Sequence, residues 1–172
     1  MEFYEVIRKR RSVRKYKSDP IPDDVLRRIL EAGRIAPSAK NIQPWKFIVI
    51  REPENKKRVA EACRGQLWMA DADVIVCGCA LEKIAWGRMG GYMSSFAVDL
   101  AIAMDHIILA AANEGLGTCW IGAFEEKKVK EILGIPEDVR VVALTPIGYP
   151  AEEPKDRGRK EFNEVFVYER YS

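Results

Sequence analysis

A chain of 172 residues is of single-domain length and long enough to bury a substantial core. Its 28 Lys and Arg stand against 26 Asp and Glu, a formal charge of +2, and this near balance speaks against a nucleic-acid partner, which calls for a basic face that shifts the charge of the whole domain. The N-terminus opens a charged amphipathic segment rather than an apolar core before a small-residue cleavage site, so a cytoplasmic protein is expected, with no membrane partner.

Phe3, Val6 and Ile7 recur at helical spacing and predict a first helix that runs into Arg8-Lys9-Arg10-Arg11-Ser12-Val13-Arg14-Lys15-Tyr16. Lys9 and Lys15 read as solvated charges near a helix C-terminus. Ser12 amid Arg10, Arg11 and Arg14 is a more compact donor set, because a hydroxyl between guanidinium forks matches the oxygens of a phosphate. Pro20 and Pro22 then break the chain, and Pro22-Asp23-Asp24 supply an early proline and acidic first-turn residues for a helix with Val25, Leu26, Ile29 and Leu30 on one face. Residues 36–47 set Pro37, Ser38, Asn41 and Gln43 directly before an apolar strand, Trp45 to Ile50, and by composition they read as a turn. Pro53 opens a helix through Val59, Ala60 and Cys63. Gln66 is either a surface amide or a polar probe of a ligand edge.

Val74 to Leu81 reads as a buried strand and Ser94 to Glu114 as a long central helix. The apolar stretch from Met93 to Ala112 has membrane-spanning length but contains Asp99, Asp105 and His106, which are expensive in lipid, so a buried helix is expected. Thr118 to Ile121 follows as a strand, Glu126 to Leu133 as a surface helix and Val139 to Ile147 as a strand. The small residues of Gly115-Leu116-Gly117-Thr118-Cys119-Trp120-Ile121-Gly122-Ala123 would let a planar ligand approach the backbone. Pro150 to Arg159 reads as a polar loop, in which Arg157 and Arg159 reach one anion only if Gly158 bends the chain. Val165 to Tyr168 is expected to be extended, in a tail too apolar to stand free in water.

Cys63, Cys77, Cys79 and Cys119 lie in apolar runs without a Cys-x-x-Cys pair, so free core thiols are expected, with a Cys63–Cys119 disulfide and a reactive Cys79 left open. His106 is the only histidine and reads as a core residue. Dinucleotide, Walker and nucleophile-elbow motifs are missing, and no metal site is expected. The alternation of strands and helices predicts an α/β or α+β sheet with helices packed on it, without repeats or an interdomain linker.

Arg-Arg-Ser-x-Arg-x-Tyr at 10–16, Pro-Ser-Ala-x-Asn-x-Gln-Pro-Trp at 37–45, Gly-Leu-Gly-Thr-Cys-Trp-Ile-Gly-Ala-Phe at 115–124, Gly-Tyr-Pro at 148–150 and Arg157-Gly158-Arg159 occur together in the order seen in the nitroreductase family, and the chain resembles its short members from Phe3 to Tyr171. The resemblance implies an α+β fold with a central mixed or antiparallel sheet flanked by helices, residues 1–172 forming one FMN-binding domain. It implies non-covalent FMN, with Arg10, Ser12 and Arg14, adjacent Arg11, and Arg157 and Arg159 at its phosphate. Ile121, Gly122 and Ala123 would lie against the flavin ring and Gln66 at its pyrimidine edge. It further implies a homodimer in which Pro37, Ser38, Ala39 and Asn41 come from the other chain and residues 160–172 form an arm crossing to the partner. NADH or NADPH would reduce the flavin, a quinone, nitro compound or similar small acceptor would reoxidise it, and no side chain need act as acid or base. A flavin-binding sensor or storage protein with the same site but little turnover is the alternative from another class.

Overall fold

Val74-Ile75-Val76-Cys77-Gly78-Cys79-Ala80 carries no charged side chain, and strand geometry sends its alternate members to opposite faces, so both faces need an apolar cover. The computed structural model, which describes residues 2–171, meets that need with a helical layer on each side. Strands β1 (Trp45–Ile50), β2 (Val74–Ala80), β3 (Gly117–Thr118) and β4 (Arg140–Gly148) form one antiparallel sheet in the spatial order β1-β2-β4-β3. Ile75, Cys77 and Cys79 pack with Val59 and Cys63 of the segment around α3 (Pro53–Ala62) and with Val129 of α5 (Glu126–Leu133). Val74 and Val76 face Ile29 of α2 (Asp23–Arg34) and Ile107 and Ala111 of α4 (Phe96–Asn113). Gly78 permits the closest approach, since a Cβ there would lie 2.9 Å from Leu100 Cδ2 and from Met104 Cε.

The membrane-length apolar helix is therefore a core helix. Leu100, Ala103, Met104, Ile107, Ile108 and Ala111 of α4 are buried, whereas Val98 and Ile102 on another face are exposed. Each fully buried large apolar side chain contributes roughly 1.5–3 kcal/mol relative to exposure. All four cysteines are buried and free, so the Cys63–Cys119 disulfide left open above is not formed. Burial pushes the Cys63 thiol up to about 12. Cys79 is 2% exposed with its Sγ 3.9 Å from Cys77 Sγ, and that sulfur contact together with burial holds the Cys77 thiol well above its usual range.

Two boundaries differ from the sequence expectation. The strand expected over Thr118 to Ile121 is regular only at Gly117–Thr118, and Ile121 rejoins the sheet as an isolated bridge to Leu144. Leu144 directs its N–H and C=O to Ile121, at 3.1 and 2.8 Å. Two residues on, Pro146 would direct its N–H to the same side, and proline has none, so the ladder is interrupted there. Of the extended stretch expected over Val165 to Tyr168, Val165 ends a short helix α6 (Phe162–Val165) that a reciprocal capping box between Glu161 and Glu164 opens, Phe166 is extended and Tyr168 lies in a bend. From Lys155 to Tyr171 every described residue is exposed, Phe162, Phe166, Tyr168 and Tyr171 included.

Helix α1 (Phe3–Lys9) leads into an extended segment joined to both sides of the sheet's end. The Val13 N–H donates to the Thr118 carbonyl at 2.9 Å, placing Ser12 in a parallel bridge with Thr118 on the outer edge of β3. Further along the segment the Lys17 N–H donates to Tyr149 O and the Ala151 N–H to Lys15 O, both at 2.9 Å. Gly117 makes the β3 contact possible, because a Cβ there would sit 2.7 Å from Val13 Cγ2.

At the other end of α4, Asp99 is 3% exposed and holds the loop before β1. Its Oδ1 accepts the Ala39 N–H at 2.9 Å and its Oδ2 accepts the Ser95 hydroxyl at 2.7 Å. Asp99→Ala leaves both donors without that acceptor and is expected to lower unfolding stability by about 1–3 kcal/mol. Asp99→Asn, which keeps a carbonyl oxygen facing Ala39, should lose less. Urea midpoints at fixed protein concentration measure the difference, and equal midpoints for the parent and the alanine variant would contradict this role.

Candidate functional site

The extended conformation after Lys9 decides which cations act together. Alternate side chains of an extended segment share a face, so Arg10, Ser12 and Arg14 point one way and Arg11 and Val13 the other. Val13 is buried accordingly. The Arg11 guanidinium instead donates to the carbonyls of Arg8 and Arg10 and, through Nη2, to Asp156 Oδ2 at 2.5 Å. Arg14 lies with its guanidinium carbon 5.9 Å from the Trp68 ring centroid, and Trp68 stacks on Tyr16 at 6.4 Å. The Tyr16 hydroxyl donates to Val13 O at 2.8 Å, and burial holds that phenol far above its usual range.

Opposite this run stands the loop after β4. Gly158 has φ +70°, which supplies the bend required for Arg157 and Arg159 to turn toward one place. The bend is held by Asp156, whose Oδ1 accepts the Gly158 N–H at 2.9 Å. Arg10, Ser12 and Arg14 from one end of the chain and Arg157 and Arg159 from the other thus line a single cleft of about 430 Å³. Four arginines and Ser12 line it with Arg11 beside them, a donor set of the charge that a phosphate monoester takes, while the Arg11 guanidinium itself is engaged by Asp156. Glu152 and Lys155, which the sequence analysis did not single out, also line it, and Glu152 accepts the Arg14 N–H at 2.9 Å. Neither had a sequence signal, because both sit in a polar loop whose charges look alike until β4 places it beside residues 14–17.

The remaining expected residues fall into two groups. Gln66 Nε2 donates to Ala123 O at 3.3 Å and to Cys63 O at 2.8 Å, so the amide stands beside the strip 121–123. Within that strip Gly122 and Ala123 are exposed and Ile121 is buried, leaving open backbone next to a polar amide. Pro37, Ser38, Ala39 and Asn41 are not part of this constellation. They form a tight turn in which Lys40, Asn41 and Gln43 all have φ near +54°, braced by the Gln43 N–H on Ser38 Oγ at 2.9 Å and by Asp99. Asp99 and Ala112, which shares a cavity wall with Arg8 to Arg11, are separated along α4 by about 20 Å at 1.5 Å per residue. His106 has Nδ1 3.3 Å from Ala32 O and lies in the groove between α1 and α4.

The sequence profile of the Nitroreductase family matches residues 7–149. A protein of Methanothermobacter thermautotrophicus named as an NADH dehydrogenase/NAD(P)H nitroreductase is 35% identical over 164 residues, covering 91% of this chain and 82% of its own length. The crystal structure of a nitroreductase family protein from Clostridium novyi NT is 41% identical with a TM-score of 0.80, covering 91% of this chain and 89% of that one. An FMN-dependent nitroreductase from Clostridium difficile R20291 is 27% identical with a TM-score of 0.84, covering 96% and 98% of the two chains. With the sheet order, the flanking helices and these matches in agreement, the chain belongs to the nitroreductase family.

Proposed function

We propose that the protein is an FMN-dependent oxidoreductase that takes a hydride from NADH or NADPH and delivers it to a quinone, a nitroaromatic or a similar small acceptor. The observation that carries this reading is the meeting of Arg10, Ser12 and Arg14 with Arg157 and Arg159 in one cleft. Its residues fit one terminal phosphate, and the strip 121–123 beside the Gln66 amide offers open backbone and a polar group, both of which a flat heterocycle needs. When bound there, the flavin supplies reversible hydride transfer.

The chain's own part is to bind and orient. The guanidinium groups and Ser12 would hold the phosphate, the Gln66 amide would meet the ring's polar edge, and Gly122 would leave room for backbone contact. Beyond those contacts, no side chain has to move a proton at the reacting carbon. Because one open ring face must receive nicotinamide and acceptor in turn, the kinetics follow a ping-pong course.

The active form on this reading is a homodimer. Pro37 to Asn41 line neither cavity that holds Arg10 to Arg14, and on this reading a second copy brings them to the cofactor. Residues 160–172 would cross to that copy as an arm, which accounts for the apolar side chains the tail holds in water in a single chain.

Flavin released from the denatured protein is expected to run as FMN by chromatography, and the loaded protein should give parallel double-reciprocal lines when NAD(P)H is varied at several quinone concentrations. FAD as the tight ligand, or no uptake of supplied FMN, would overturn the assignment, and intersecting lines would overturn the shared stacking position. Flavin that stays bound without repeated NAD(P)H oxidation would indicate a sensor or storage role. Truncation after Arg159 keeps every proposed phosphate ligand and removes the arm. Light scattering should then report loss of the dimer with parallel loss of flavin, each apolar side chain withdrawn from an interface costing up to roughly 1.5–3 kcal/mol. A monomer with full flavin content would refute the shared site.

A further inference from the structure

Asp156 lines the cavity beside Arg8 to Arg11, next to the cleft suited to an anion, where a carboxylate works against phosphate binding. Its bonding gives the reason. One oxygen accepts Arg11 Nη2 at 2.5 Å and the other accepts the Gly158 N–H at 2.9 Å. Arg11 is tied in turn to the end of α1, through the carbonyls of Arg8 and Arg10. From Lys155 onward the described chain is exposed, so burial does not fix where Arg157 and Arg159 stand.

On the assignment of this cleft to the cofactor phosphate, we infer that Arg11 and Asp156 are positioning residues: a clasp joining the last turn of α1 to the Gly158 bend, which sets Arg157 and Arg159 toward Arg10, Ser12 and Arg14. An aspartate that bonds the N–H two residues ahead closes a turn, and here the same carboxylate carries a guanidinium on its second oxygen. An exposed ion pair contributes little to stability. The clasp therefore acts on the geometry of the loop. The Gly158 N–H and then the Arg11 charge hold the carboxyl below its usual range, so the clasp is closed at neutral pH.

Charge and position predict opposite signs when Asp156 is removed. If Asp156 acted only as a charge, Asp156→Ala would tighten FMN by removing a repulsion. The clasp predicts weakening, with Kd from flavin fluorescence quenching rising about tenfold, the loss expected when a charge-assisted phosphate bond is misaligned. Asp156→Asn, which retains an oxygen for the Gly158 N–H, should fall between the parent and the alanine variant. In an Arg157→Ala, Arg159→Ala background, Asp156→Ala should produce no further weakening. In the flavin-free protein, trypsin should cut after Arg157 and Arg159 faster in Asp156→Ala than in the parent, with the thermal midpoint unchanged. Unchanged or tighter FMN binding in Asp156→Ala, or equal tryptic rates, would overturn the clasp. A parent that takes up no FMN would sink the cofactor reading instead, and the tryptic comparison would still judge the clasp.

Discussion

Strand β2 has no residue open to water on either face, and the rest of the chain is arranged around covering it. One cover is supplied by α3 and α5, the other by α2 and α4, with Gly78 allowing α4 to approach until Leu100 and Met104 fill the space where a side chain would stand. A helix long enough to span that sheet also sets a distance. With α4 at 18 residues, features at its two ends are separated by about 27 Å at 1.5 Å per residue. The Ser38–Asn41 turn is pinned near one end by Asp99, and the basic run lies by the other.

The candidate cofactor site is assembled from chain ends at the margin of the core. Backbone hydrogen bonds place residues 12–17 between β3 and the segment after β4, and this brings the segment that leads to Arg157 and Arg159 alongside the cations that follow α1. Such an arrangement suits anion binding. The guanidinium groups stay hydrated enough to avoid a large desolvation cost, yet a shared backbone scaffold limits how far they move. The loop after β4 carries two carboxylates with structural tasks, Glu152 on the Arg14 N–H and Asp156 on Arg11 and Gly158.

The apolar surface left by a single chain falls where the proposed dimer needs it. Phe3 and Ile7 of α1, Val98 and Ile102 of α4, and the tail from Phe162 to Tyr171 are all exposed, while the sheet core is closed. Tyr171 is fully exposed, an unfavourable place for an aromatic ring at the end of a chain. On the dimer reading these groups cover one another across the two copies, and an arm laid on a partner follows the general logic of strand addition.

Periodicity and breakers in the sequence were enough to locate helices α1 to α5, the buried strand β2 and the core role of the membrane-length helix, because each element records in its own residues which face is buried; the short α6, exposed along its length, left no such record. The family was legible as well, from motifs that lie in order along the chain. The sequence could not say that Arg11 turns away from Arg10, Ser12 and Arg14 to meet Asp156, nor that β3 stops at Thr118, paired with Ile147, one position before Pro146 would have to continue the ladder. Those outcomes depend on which backbone N–H faces which carbonyl across residues far apart in the chain. Backbone groups are the same in every residue except proline, so the pairing leaves little trace in side-chain pattern, and only the assembled sheet decided it.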